Sequence, residues 1–76
     1  MTATLEWNGR TLMMIAHGGA IREVGEVRGK RGEWVYELRR GLTIQVSDPY
    51  ELIGDARHDA ESEVRRLLKE AGVICE

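Results

Sequence analysis

The chain has 76 residues, of which 42% are hydrophobic and 32% charged, and its formal net charge is −2. This composition excludes a disordered tail, and a chain of this length is expected to form one domain over residues 1–76. A lone cysteine excludes an internal disulfide framework and a multi-cysteine zinc site, and no apolar run approaches the roughly 18 residues of a membrane span.

The first predicted elements are two strands, at about residues 3–7 and 10–16, joined by a tight hairpin. Asn8 and Gly9 form the pair best suited to a type I′ turn between them. The resulting alternation places apolar side chains on both faces of the hairpin. Leu5, Trp7, Leu12 and Met14 share one face, and Met13 and Ile15 share the other.

A third strand is predicted over about residues 20–28, after the Gly-rich segment that ends the second. Its apolar residues Ile21, Val24 and Val27 are spaced by three, which strict alternation cannot keep on one face. A β-bulge near Gly25 would restore the alternation.

A second hairpin is predicted from strands at about residues 33–38 and 42–46. A two-residue turn would place polar residues opposite apolar ones, whereas a three-residue loop matches apolar side chains on both strands. The loop is Arg39-Arg40-Gly41, with Gly41 in the left-handed position of a G1 bulge. It pairs Leu38 with Leu42, Tyr36 with Ile44 and Trp34 with Val46.

The segment "SDPYE" predicts the start of a helix that spans about residues 49–71. Asp48 is suited to the N-cap, Pro49 to the first helical position and Glu51 to a capping box, while Gly72 suits the position after the C-cap. The apolar face repeats at steps of three and four: Ile53, Ala56, Ala60, Val64, Leu67 and Ala71. The predicted fold is therefore α+β, a small antiparallel sheet of four or five strands with one C-terminal helix packed on one face.

Side chains of the types used in hydrolysis occur along the predicted helix, at Asp55, His58, Asp59 and Ser62. They project away from the apolar face, whereas a catalytic triad must converge in a pocket with oxyanion donors. No second histidine lies at metal-ligand spacing, and no phosphate-binding glycine motif is present. We therefore expect no catalytic residues, metal or cofactor, and we expect Cys75 to be a free thiol on a tail.

Basic residues concentrate in the hairpin formed by the predicted strands at about residues 20–28 and 33–38, which we call the basic hairpin, since residues 21–41 contain six bases and four acids. Arg28, Lys30 and Arg31 lie at one predicted end, and Arg39 and Arg40 at the other. The stretch "GEVRGKRGEWVYEL", residues 25–38, resembles the strand pair of AP2-like and integrase arm-type DNA-binding domains. That resemblance implies a sheet that enters the major groove.

The sequence departs from that pattern at three acidic positions, Glu26, Glu33 and Glu37, which would face DNA at a repulsive cost. Trp34 and Tyr36 share a face with Leu38, which favours core packing over base stacking. The alternative to DNA binding is a solvated sheet rim whose charges prevent edge-to-edge aggregation.

Acidic residues dominate residues 48–63, where six acids accompany the single base Arg57. An acidic stripe recurs every fourth residue along the predicted helix: Glu51, Asp55, Asp59 and Glu63. Part of this excess is explained by the favourable interaction of acids with a helix N-terminus. The other interpretation is a docking surface for a basic partner.

In size and make-up the chain resembles the small phage-encoded inhibitors of bacterial defence, anti-CRISPR proteins among them. That resemblance implies a non-enzymatic inhibitor that covers the nucleic-acid-binding surface of a larger complex, such as an RNA-guided surveillance complex. The acidic stripe is the predicted contact surface. A small DNA-binding or regulatory protein that uses the basic hairpin is the alternative. Both hypotheses place the chain in the cytoplasm without a membrane or secretion segment, and both allow a homodimer.

Overall fold

The structure is a computed structural model and describes residues 1–75. Within these residues it contains six strands and one helix. The elements are β1 (Thr2–Asn8), β2 (Thr11–Ala16), β3 (Ile21–Lys30), β4 (Glu33–Arg40), β5 (Thr43–Val46), α1 (Ile53–Glu70) and β6 (Ile74–Cys75).

The strands form one sheet in the order β5-β4-β3-β2-β1-β6, which curls as a half-barrel with the helix packed on one face. Neighbouring strands are antiparallel except β1 and β6, which are parallel. The α+β class is as predicted. The prediction of four or five antiparallel strands is wrong, because the described residues contain a sixth strand and the sheet is mixed.

The sixth strand depends on the way in which the helix ends. Gly72 follows the C-cap with a φ of 83°, and its N–H donates to the Lys69 carbonyl at 3.0 Å, while Val73 N–H donates to the Leu68 carbonyl at 2.8 Å. This Schellman motif reverses the chain. Ile74 N–H then donates to the Met1 carbonyl at 2.8 Å, so the predicted thiol-bearing tail is in fact an edge strand.

The first hairpin turns one residue later than predicted. Asn8 pairs with Thr11, so the two-residue turn is Gly9-Arg10. Gly9 has a φ of 64°, and within residues 1–75 no residue other than glycine has a positive φ, which excludes the type I′ turn at Asn8-Gly9. The observed register differs from the predicted one by two residues, and such a shift keeps every side chain on its face.

The predicted bulge in the third strand is confirmed at Val24. Leu12 pairs with Gly25, whereas the next residue of β2, Met13, pairs with Glu23. Val24 is thus the extra residue, and its side chain packs against the core.

The predicted three-residue loop of the second hairpin is wrong. Arg40 pairs with Thr43, so the turn has two residues, Gly41 and Leu42, and Gly41 has a φ of 63°. As a result Ile44 lies opposite Arg39 and Val46 opposite Glu37. Both apolar side chains therefore lie on the sheet face away from the helix, where they are 57% and 54% exposed.

The helix begins four residues after its predicted start. The Tyr50 N–H donates to the Trp34 carbonyl at 2.6 Å, and the Trp34 N–H donates to the Tyr50 carbonyl at 2.8 Å. This pairing keeps Tyr50 extended beside β4. Leu52 is consequently the N-cap residue, without a side-chain cap, so the predicted N-cap role of Asp48 and capping-box role of Glu51 are both wrong.

The core lies between the helix and the concave side of the sheet. Ala56, Ala60 and Val64 are buried as the helical periodicity predicted, and their small size lets the helix approach the sheet closely. The buried cluster is completed by Leu5, Leu12, Val27, Tyr36 and Leu38. Within residues 1–75, no helix is both long and apolar enough to cross a membrane.

Candidate interaction surface

The predicted acidic stripe is divided between the helix and the segment before it. Asp55, Asp59 and Glu63 lie on α1, whereas Glu51 precedes the helix. Glu51, Asp55 and Asp59 are exposed and Glu63 is half-buried. The repeat therefore places its carboxylates on the solvent side as predicted, although one of them is held by loop backbone and not by the helix.

Asp59 is partly engaged by a neighbouring tyrosine. The Tyr50 hydroxyl donates a hydrogen bond to Asp59 Oδ2 at 2.7 Å. That bond, followed by burial and by the charge of Asp59, raises the pKa of Tyr50 to about 12. The contact ties the extended segment before the helix to the second turn of the helix.

Glu63 is neutralised within its own helix. The Arg66 guanidinium forms ion pairs with Glu63 and, at 2.8 Å, with Glu70. The hydrogen bond from Arg66 lowers the pKa of Glu63 below its ordinary value. The C-terminal half of the predicted stripe is therefore a mixed, internally paired surface.

The acidic charge is instead concentrated around Tyr50. Asp48 is exposed, and its charge, like that of Asp59, raises the pKa of Tyr50. Within residues 1–75, neither Asp48, Glu51 nor Asp55 has a basic side chain within salt-bridge distance. We define the acidic patch as Asp48, Glu51, Asp55 and Asp59.

Arg57, the single base of residues 48–63, points away from the acidic patch. The Arg57 guanidinium donates through Nη2 to the Gly9 carbonyl at 2.9 Å and lies 5.6 Å from the centre of the Trp7 ring. Trp7 Nε1–H in turn donates to Glu61 Oε1 at 3.1 Å. These contacts fasten the helix to the first hairpin, and they leave the acidic patch without the base that is nearest in sequence.

Two residues of this surface, Asp48 and Tyr50, were not predicted from the sequence. Asp48 was assigned to the N-cap, which hid its place among the exposed carboxylates. Tyr50 was placed inside the helix, where it could not have reached Trp34. The signal available in the sequence was the acidic excess of residues 48–63, which includes Asp48.

Most of the basic residues predicted for the basic hairpin, which is formed by β3 and β4, are neutralised by acids on the neighbouring strand of that hairpin. The ion pairs join Arg28 to Glu37 at 2.6 Å, Lys30 to Glu33 at 3.6 Å and Arg39 to Glu23 at 2.8 Å. Glu33 and Glu37, two of the acids that depart from the DNA-binding pattern, are thus partners of the bases.

The two remaining bases lie at opposite ends of the hairpin. Arg31 is exposed in the turn between β3 and β4, and Arg40, at the end of β4, donates to Gln45 Oε1 at 3.2 Å. The eight residues of β4 separate these ends by about 23 Å. The hairpin therefore carries two small basic sites instead of one continuous patch.

The aromatic side chains of β4 face the helix, as predicted. Tyr36 is buried, and the Arg10 guanidinium lies 4.9 Å from the centre of the half-buried Trp34 ring. Burial, with the charges of Glu63, Asp59 and Asp48, raises the pKa of Tyr36. Neither ring lies on the sheet face away from the helix, where a DNA base could stack.

The residues considered for catalysis lie on the outer surface of the helix. Asp55, His58, Asp59 and Ser62 are all exposed. Within residues 1–75, no three His, Cys, Asp or Glu side chains are grouped so that they could hold a metal ion. The expectation that the chain is not an enzyme stays a prediction.

Comparison of the chain with protein families, with curated proteins and with solved structures found no match.

Proposed function

We propose that the protein is a non-enzymatic inhibitor that binds a basic, nucleic-acid-binding surface of a larger protein. The observation that carries this proposal is the diversion of Arg57 to Gly9 and Trp7, which leaves the acidic patch uncompensated. Exposed carboxylates without a cation partner attract a basic groove and orient the approaching protein.

The biological setting of the proposal is bacterial defence. A small phage-encoded protein of the anti-CRISPR type acts in the host cytoplasm by occupying the groove through which an RNA-guided complex binds target DNA. A compact surface of carboxylates offers such a groove the same type of ionic partner as the DNA phosphates. Binding and not bond-making is the proposed activity.

The direct test is a competition between the protein and target DNA. Purified RNA-guided surveillance complexes are titrated with the protein, and target-DNA binding is followed by electrophoretic mobility shift. We expect near-stoichiometric amounts of the protein to inhibit target-DNA binding by at least one of these complexes. Charge reversal at Glu51→Lys and Asp55→Lys together should raise the half-inhibitory concentration at least tenfold.

Each patch reversal is also made alone, and the matched control for these single variants is Glu6→Lys, a charge reversal at an exposed position of β1, where Glu6 pairs with Met13 on the sheet face away from the helix. It should leave inhibition unchanged. Equal losses from Glu6→Lys and from the patch variants would show that net charge, not the patch, is what matters. Complexes that all bind DNA normally in the presence of the wild-type protein would refute the inhibitor proposal.

The alternative, direct DNA binding, is supported by Arg31 and Arg40, which have no carboxylate within salt-bridge distance in residues 1–75. It requires retention on duplex DNA that falls steeply as salt rises. Fluorescence anisotropy with a labelled duplex measures this directly. Binding at low salt that disappears in the variant Arg31→Ala, Arg40→Ala would favour the DNA-binding function over the inhibitor function.

A further inference from the structure

The outer edge of β5 exposes main-chain hydrogen-bonding groups from two residues. Ser47 N–H donates to the Tyr36 carbonyl at 2.9 Å, which makes Ser47 and Tyr36 a hydrogen-bonded pair. Because bonded and non-bonded pairs alternate along an antiparallel ladder, Gln45 also directs its N–H and C=O toward β4. The N–H and C=O groups of Ile44 and Val46 consequently point outward from the sheet.

The same two residues expose apolar side chains beside those groups. Ile44 is 57% exposed and Val46 54% exposed. The strand sequence "TIQV" contains no charge and no proline, the devices by which edge strands usually avoid pairing. Its short length is the one protective feature that this edge has.

We propose that β5 pairs antiparallel with β5 of a second copy of this chain, about a two-fold axis at Gln45. In this register Ile44 lies opposite the partner's Val46, and symmetry repeats the contact. Each such pair exchanges main-chain hydrogen bonds, since both residues direct their N–H and C=O groups outward. The apolar side chains of both copies then form one continuous patch on the sheet face away from the helices.

Charge complementarity at both ends of the paired strands favours a second copy over an unrelated peptide. The register places Asp48 of one copy opposite the partner's Leu42, next to the basic end of the partner's β4. Arg40 at that end binds only the neutral amide of Gln45 by its side chain, so it can turn toward Asp48 of the other copy. The two-fold axis forms this ion pair twice, and no like charges meet across the axis.

Over residues 1–75, the opposite edge of the sheet is less suited to pairing, because β6 covers β1 only at Thr2 and Ala3 and the uncovered part of β1 carries the exposed charge of Glu6. Strand β6 has two residues in the described part of the chain, whereas β5 has four and continues toward Ser47 beside β4. The dimer is therefore a continuous sheet with the β5 strands at its centre. Because the axis is perpendicular to the sheet, both helices lie on the same side.

The first test is sedimentation velocity over a wide concentration range. We expect a reversible monomer–dimer equilibrium for the wild-type chain. A lysine on the pairing edge disfavours association, so Ile44→Lys and Val46→Lys should each raise the dimer dissociation constant at least tenfold. The control Ile21→Lys changes a side chain that is 65% exposed on β3 and should leave the equilibrium unchanged.

A wild-type chain that stays monomeric at every concentration overturns the proposal, as does a dimer that Ile21→Lys dissociates as strongly as Val46→Lys. Capture of an extended peptide on β5 by an otherwise monomeric chain would also overturn it. All three substituted side chains are largely exposed, so circular dichroism should show the same fold in each variant.

The second test reads the register by disulfide cross-linking. Two copies of residue 45 would form a non-hydrogen-bonded pair with Cα atoms about 4.5 Å apart, a distance that a disulfide can bridge. In a Cys75→Ala background, Gln45→Cys should form a covalent dimer on mild oxidation. The control Thr43→Cys should not, because its two copies would lie roughly 14 Å apart in this register. Equal cross-linking at both positions would refute the register.

Discussion

Gly25 lies at a position in the centre of the sheet that has no room for a Cβ atom. It is buried opposite Leu38, and a Cβ added there would lie 2.7 Å from Leu38 Cδ2 and 2.9 Å from the Glu37 carbonyl oxygen. The backbone oxygen cannot move without disturbing the β3–β4 ladder. We expect Gly25→Ala to lower the free energy of unfolding by about 1–3 kcal/mol, measured by urea denaturation.

Gly54 is the matched control for that substitution. It lies in the first turn of the helix, and an added Cβ would meet nothing within 4 Å. Replacing a helical glycine by alanine reduces the backbone entropy lost on folding, so Gly54→Ala should raise the free energy of unfolding by about 0.5–1 kcal/mol. Changes of the same sign in the free energy of unfolding for the two substitutions would contradict the close approach at Gly25.

Tyr50 links the stability of the fold to alkaline pH. The hydrogen bond to Asp59 raises its pKa to about 12, above the ordinary value of about 10. Since the folded-state pKa is the higher one, the stabilisation is complete below about pH 10 and is lost as pH rises to about 12. The Tyr50→Phe variant should therefore lose less stability over this interval than the wild-type chain.

Urea denaturation at closely spaced pH values between about 9 and 12 measures the Tyr50 effect. Some pH dependence should remain in the variant, because burial also raises the pKa of Tyr36. A Tyr50→Phe variant with the same alkaline slope as the wild-type chain would show that the Asp59 contact does not couple proton binding to folding.

At the scale of elements, the alternation of apolar and polar residues predicted the sheet face of each side chain better than it predicted the turns. In the first hairpin a register error of two residues was harmless, since it kept Leu5 and Leu12 on the core side. In the second hairpin the prediction assumed that Ile44 must face the core. The buried cluster contains no residue of β5, so burial did not select the register there, and the two-residue turn at Gly41 did.

Long-range pairing explains the two elements that local signals could not give. The helix-start signals at Asp48 and Pro49 are strong locally, yet the hydrogen bonds between Tyr50 and Trp34 keep the chain extended. Within residues 1–75, strand β6 has two residues, too few to show any periodicity. Both features depend on partners that are distant in sequence, Trp34 for the first and Met1 for the second.

The reactivity of the Cys75 thiol can report whether β6 is paired with β1. Ile74→Pro removes the N–H that donates to the Met1 carbonyl at 2.8 Å, and proline cannot replace that donor. Because half-buried Cys75 packs against the core from this strand, we expect its reaction rate with a thiol reagent to rise at least tenfold. Ile74→Thr keeps the N–H at this exposed position and should react like the wild-type chain.

At the scale of the whole molecule, the acidic surface could be predicted only in part. Periodicity gave the exposure of Asp55 and Asp59, because the helix face opposite Ala56 and Ala60 must lie in solvent. It could not show that Arg66 neutralises Glu63, that Asp48 joins the patch or that Arg57 turns toward the first hairpin. Those outcomes depend on how the helix crosses the sheet, which no repeat in the sequence specifies.

The small size of the molecule makes its stability depend on few side chains. A single core of this size is expected to supply roughly 3–5 kcal/mol, and Leu38 is one of its largest fully buried side chains, 1% exposed between the helix and β3. Leu38→Ala should cost about 2–5 kcal/mol, a large part or all of that stability, so urea denaturation should show a far lower midpoint than for the wild-type chain. Ile21→Ala, at a position 65% exposed, should cost about 0.5 kcal/mol or less. A Leu38→Ala variant as stable as Ile21→Ala would mean that the contact between helix and sheet does not hold this fold together.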